Sequence, residues 1–109
     1  MSTQTTDAAI KDIVDKLAAE YAPQRVVLFG SRAIGAEGQD SDVDLLIIKD
    51  TAEKFMERWK TVRRILSDRN RTFALETLVL TPKEVVERLA VGDQFVADIL
   101  KHGRVLYDA

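Results

Sequence analysis

Two aspartates, Asp42 and Asp44, stand at the mouth of an apolar run, Leu45-Leu46-Ile47-Ile48, and a Gly-Ser pair, Gly30-Ser31, closes an earlier one, Arg25-Val26-Val27-Leu28-Phe29. Side chains along a strand alternate between its faces, so Asp42 and Asp44 project the same way with Cα atoms ~6.6 Å apart. Like charges at that spacing, leading into a wholly apolar strand, repel and resist desolvation unless a cation holds them. Two such carboxylates can share a pair of Mg²⁺ ions, which stand about 3.5–4 Å apart in two-metal sites. Magnesium prefers oxygen ligands and keeps waters and substrate phosphates in its shell, so few protein groups suffice. Gly30-Ser31 serves equally as a strand-to-helix turn with Ser31 as N-cap, or as a turn whose N–H groups and hydroxyl face an anion. No Walker A loop occurs in the chain. Together the turn and the paired aspartates have the layout of a metal-assisted nucleotidyl-transfer site.

These residues need elements to hold them. Ile10, Ile13, Val14, Leu17, Ala18 and Tyr21 recur at helical spacing, which predicts an amphipathic helix that starts from Thr6 or Asp7 and stops before Pro23. Strands are predicted over 25–30 and 42–49, with a helical turn near 31–35 and a glycine-bearing loop over 35–41 between them. A helix over 52–68 would place Phe55, Met56, Trp59, Val62, Ile65 and Leu66 on one face, with Trp59 as a core anchor. Residues 73–80 read as a third core strand, with Glu76 on the same face as Ala74 and Leu78. Thr81-Pro82 with Glu84 spells a capping box. Helices follow over 82–91 and 93–102, the second closed by Gly103 as a C′ residue, with Lys101 and His102 favoured by the helix dipole. Val105-Leu106-Tyr107 adds a short edge strand. Phe95 and Val96 widen the stripe of Val91, Ile99 and Leu100, and are the expected contacts for a second chain.

Gly30-Ser31, the Arg32-Ala33-x-Gly35 after it, and Ser41-Asp42-x-Asp44-Leu45 resemble the signature of the DNA polymerase beta-like nucleotidyltransferase superfamily. The short length resembles its minimal prokaryotic members. In that family a third acidic residue, more often Asp, precedes a Thr-Pro, and here Glu76 stands before Thr81-Pro82. The ending Ile99-Leu100-Lys101-x-Gly103-x-Val105-Leu106-Tyr107 is also similar. The resemblance implies an α+β fold, a small mixed sheet backed by helices, in one domain over 1–109 with 1–6 as a flexible N-terminus. It implies Asp42, Asp44 and Glu76 as catalytic residues and ligands of two Mg²⁺, and Gly30, Ser31 and Arg32 as nucleotide-binding residues. It implies AMP transfer from ATP to a tyrosine of a partner, a HEPN-domain ribonuclease toxin, in a hetero-oligomer. Two other readings stay open: an antitoxin subunit that neutralises its toxin by contact alone, and an antibiotic-modifying nucleotidyltransferase, which lacks the acceptor domain expected for it.

Composition narrows the classes. With 109 residues the chain holds one domain, and 46% hydrophobic content is enough for a core. The absence of cysteine excludes a disulfide scaffold and a thiolate zinc site, and points to the cytoplasm. No apolar run is long enough for a membrane span, and the opening MSTQTTD lacks the plan of a secretion signal. A net charge of −2 gives no field that argues for direct nucleic-acid binding. The charge is nonetheless segregated: residues 37–53 hold six acids against Lys49, and residues 58–71 hold six bases against Asp68. An acidic cluster beside a basic one suits a metal–triphosphate complex, and the bases suit a solvated helix face equally well.

Overall fold

The computed structural model describes residues 2–30, 42–68 and 73–109. Four helices and four strands occur in the order α1 (Ser2–Glu20), β1 (Arg25–Phe29), β2 (Val43–Ile48), α2 (Phe55–Ile65), β3 (Leu75–Leu80), α3 (Pro82–Ala90), α4 (Gln94–His102) and β4 (Arg104–Asp108). The fold is α+β, around a mixed sheet ordered β3-β2-β1-β4. β1 is antiparallel to both β2 and β4, while β2 and β3 run parallel. The parallel pair requires a crossover, and α2 supplies it.

Helices cover both faces of this sheet, so the central strands β1 and β2 are apolar on both sides. Val26, Leu28, Val43, Leu45, Ile47, Leu75 and Val79 form one core with Ile13, Val14 and Leu17 of α1 and Val62 of α2. Val27, Leu46, Ile48 and Leu80 form the other with Val85 of α3 and Val96 and Ile99 of α4. Double coverage explains why β2 reads as an unbroken apolar run instead of an alternating one. The stripe of α1 is buried as its spacing predicts, from Ile10 to Tyr21. The helix itself begins at Ser2 and not near residue 7, since no glycine or proline in that stretch stops it.

The α2 face differs from expectation. Val62 and Leu66 are buried, but Phe55 and Met56 are exposed and Trp59 is 38% exposed, with the Arg63 guanidinium 5.0 Å over its ring. Arg58 takes the inward position instead. Its Nε donates to the Glu53 carbonyl at 2.8 Å, and its Nη1 and Nη2 grip both oxygens of Glu84 at 2.7 and 3.1 Å. The planar guanidinium satisfies several acceptors at once, which lets a charge replace an apolar anchor here. Glu84 also closes the predicted capping box of α3: the Thr81 N–H donates to Oε1 at 2.9 Å and the Glu84 N–H to Thr81 Oγ1 at 3.1 Å. The Arg58 hydrogen bond is the main reason the Glu84 carboxyl lies below its ordinary value. A lowered carboxyl contributes stability above its unfolded pKa and loses it as pH falls through the folded one. Arg58→Ala should therefore lower stability by about 2–3 kcal/mol, or roughly 10 °C or more in Tm, and blunt the acid sensitivity. An unchanged melting curve would mean that the pair is solvated.

Gly103 ends α4 in extended backbone (φ −69, ψ 163), not in the left-handed C′ geometry. A Cβ there would run into Val27 Cγ1, Leu28 O and Ile99 O, so close packing on β1 demands the glycine.

Candidate active site

β1, β2 and β3 bring the site together at one end of the sheet. Phe29 pairs with Asp44 across the antiparallel ladder, and Asp44 pairs with Glu76 across the parallel one. Pairing and alternation put Asp44 and Glu76 side by side on the face that α3 and α4 cover further along. Asp42, just before β2, is exposed, Asp44 is half-buried and Glu76 is exposed. Burial, first, and then the charges of Asp42 and Glu76 push the Asp44 carboxyl above its ordinary value. Glu76 thus stands beside Asp44, and β3, which the sequence reads as a core strand, lies at the edge of the sheet. Glu76 is solvent-exposed at that edge.

Gly30 follows β1 with φ +81, the left-handed region that glycine enters freely. A Cβ at Gly30 would overlap Asp44 Oδ2. The turn and the aspartate therefore touch, and the missing side chain leaves room for that carboxylate. Ser31 and Arg32, and the predicted turn and loop over 31–41, lie outside the described residues.

All three carboxylates supply hard oxygen donors, and no described base pairs with Asp44. That donor set fits a divalent cation of the magnesium class, which would offset the repulsion raising the Asp44 pKa. Among the described residues, no group of three or more acidic, histidine or cysteine side chains is placed so as to hold a metal ion by itself.

Beside Gly30 opens a cleft of about 330 Å³ between the end of β1 and α4, lined by Phe29, Phe95, Asp98 and His102 among others. The sequence reading missed it. The sequence places His102 at the dipole of α4 and Phe95 and Val96 at a protein interface; the structure buries Val96 completely in the core and leaves Phe95 55% exposed at the cleft. Val91, expected on the core stripe, is 83% exposed, because α3 ends before it and the chain turns away through Gly92. No local signal in the sequence marks the cleft, since its walls meet only when β4 pairs with β1 and draws the end of α4 toward Gly30.

Of the basic run over 58–71, Arg69 and Arg71 lie outside the described residues. Arg58 is engaged with Glu84 at the start of α3, beyond the opposite end of β3. Arg63 reaches the Leu75 carbonyl and the Trp59 ring. Among the described residues, no helix is long and apolar enough to cross a membrane.

Comparison with known proteins agrees with the fold. Among solved structures, the chain is similar to a protein of Sulfolobus solfataricus assigned as a nucleotidyltransferase, with TM-score 0.68 and 22% identity over 98% of this chain and 84% of that one. It is also similar to a chain of a toxin–antitoxin structure with AMP-PNP, with TM-score 0.55 and 18% identity over 91% of this chain and 73% of that one. At such identities the likeness is one of fold. No curated protein matches the chain. The family model described as "Polymerase beta, Nucleotidyltransferase" matches residues 11–109, nearly the whole chain and every element from within α1 to β4. The chain therefore belongs to the polymerase beta nucleotidyltransferase family.

Proposed function

We propose that the protein is a magnesium-dependent adenylyltransferase antitoxin, which moves AMP from ATP onto a tyrosine of a partner HEPN ribonuclease toxin. The observation that carries the reading is the half-buried Asp44, whose neighbours are Asp42, Glu76 and the backbone of Gly30. The fold likeness to a toxin–antitoxin structure with AMP-PNP supports the partner and the nucleotide.

Asp42 and Asp44 would hold the cations, with Glu76 completing the shell on the acceptor side. When bound, divalent metal supplies charge neutralisation of the triphosphate and a lower pKa for the acceptor hydroxyl. The Gly30 N–H, Ser31 and Arg32 grip the outer phosphates. The acceptor oxygen forms a bond to the α-phosphorus, the bond from that phosphorus to the bridging oxygen breaks, and pyrophosphate leaves. As the alternative to completing that shell, Glu76 takes the phenolic proton.

Intact-mass analysis of the protein encoded beside this one, co-expressed and incubated with ATP and Mg²⁺, tests the reading. A gain of one or more AMP units supports it. A stable complex on size exclusion with no mass gain points to an antitoxin that acts by contact alone. Transfer to a small molecule by the monomer points to an antibiotic-modifying enzyme. Glu76→Gln should lower the chemical step by about ten-fold or more while nucleotide affinity changes little, and Glu76→Asp should be tolerated. Normal turnover in Glu76→Gln would reduce Glu76 to an edge-strand charge.

A further inference from the structure

We propose that the cleft between the end of β1 and α4 binds the nucleoside portion of the nucleotide, with Phe95 as its apolar wall and Asp98 as the acceptor of a donor hydrogen bond. The inference rests on the nucleotide reading above and adds a place for the base and sugar. Gly30 lines this cleft and also touches Asp44, so a ligand whose phosphates lie at Gly30 has its other end within reach of it. The volume of about 330 Å³ lies at the low end of small-ligand sites, ~300–1,000 Å³.

The walls select the chemistry. The Phe29 and Phe95 rings meet edge to face, with centroids 5.8 Å apart and planes at 86°, which leaves the rest of the exposed Phe95 ring toward solvent. An aromatic ring held by a neighbour but uncovered is a ready surface for a planar partner. Asp98 and His102 stand one helical turn apart on α4 and both line the cleft. Neither has a hydrogen-bond or ion-pair partner among the described residues. A phosphate placed here would face the Asp98 carboxylate and be repelled. A metal would find one carboxylate where it wants several oxygens. A nucleoside meets neither objection: its ring takes the apolar wall, and an N–H or O–H takes the carboxylate. Asp98 accepts from either an exocyclic amine of the base or a ribose hydroxyl, since both are neutral donors of similar reach.

Calorimetric titration of the full chain with Mg²⁺ complexes of AMP-PNP and of inorganic tripolyphosphate tests this. The wild type should bind AMP-PNP more tightly than tripolyphosphate. Asp98→Ala and Phe95→Ala should each weaken AMP-PNP by about ten-fold and leave tripolyphosphate unchanged. Both side chains are exposed, so the variants should melt with the wild type. Loss of the Asp98 effect with a uridine analogue would identify the amine as the donor, and its loss with a dideoxyribose analogue would identify the hydroxyl. Unchanged AMP-PNP affinity in both variants, or equal weakening of both ligands, would overturn the proposal. If tripolyphosphate binds the wild type in an Asp44-dependent way but AMP-PNP binds no tighter, the cleft fails while the phosphate and metal site stands. If neither ligand binds, the nucleotide reading fails and the cleft with it.

Discussion

Asp44→Asn should abolish nucleotidyl transfer, by at least ~1,000-fold, while making the metal-free protein equally or more stable. The two effects have opposite signs because they come from the same charge. Burial and the neighbouring Asp42 and Glu76 raise the Asp44 pKa above its ordinary value. For an acid, a raised folded pKa means that stability is present at low pH and is lost as pH rises from the unfolded pKa through the folded one. At neutral pH the ionised Asp44 therefore weakens the metal-free fold, and asparagine removes that cost without changing shape. Under the proposed function, divalent cation should reverse the balance in the wild type, since an ion that binds the folded state alone raises its Tm. Thermal melts with chelator and with millimolar Mg²⁺ read this directly. The wild type should gain with Mg²⁺ and the variant should not. Undiminished transfer in Asp44→Asn, or a lower Tm in chelator, would remove Asp44 from the metal site.

Gly30→Ala should reduce transfer by about 100-fold or more and lower stability by more than backbone strain alone explains. At φ +81 an alanine is strained by about 1 kcal/mol. Its Cβ also displaces Asp44 Oδ2, so the carboxylate must leave the position from which it would hold a cation. Gly92 is the internal control. It sits at nearly the same φ, +80, but a Cβ there meets nothing within 4 Å. Gly92→Ala should thus show the strain without the overlap: about 1 kcal/mol of stability lost and full transfer activity retained. Equal losses of transfer in both variants would locate the Gly30 effect in the backbone and not at Asp44.

Much of the fold is legible because its signals are local. The helical spacing from Ile10 to Tyr21, the apolar runs of β1 and β2, and the Thr81-Pro82-Glu84 box each depend on neighbours within a few residues, and each appears in the structure. Asp44 is legible for the same reason, since strand periodicity sets its face, whereas Asp42, expected within the strand, stands just before it. Where local pattern misled, a distant partner decided. Six apolar residues of residues 52–68 suggest one inward face, yet α2 turns Arg58 inward because Glu84, on another helix, completes its hydrogen bonds. Gly103 reads as a left-handed cap, yet its backbone is extended and the glycine is needed against Val27 and Leu28.

By itself, the sequence determined the chemistry available: two aspartates in register with a strand's pleat, a glycine turn, and an acid placed before a Thr-Pro. Only the tertiary structure decided which of these meet. The order β3-β2-β1-β4 sets Phe29, Asp44 and Glu76 in one row, brings Gly30 against Asp44, and lays the end of α4 along a cleft beside them. Strand order is chosen by burying both faces of the sheet at once, under α1 and α2 on one side and α3 and α4 on the other. That is a sum over residues far apart in the chain, and no window of neighbouring residues contains it.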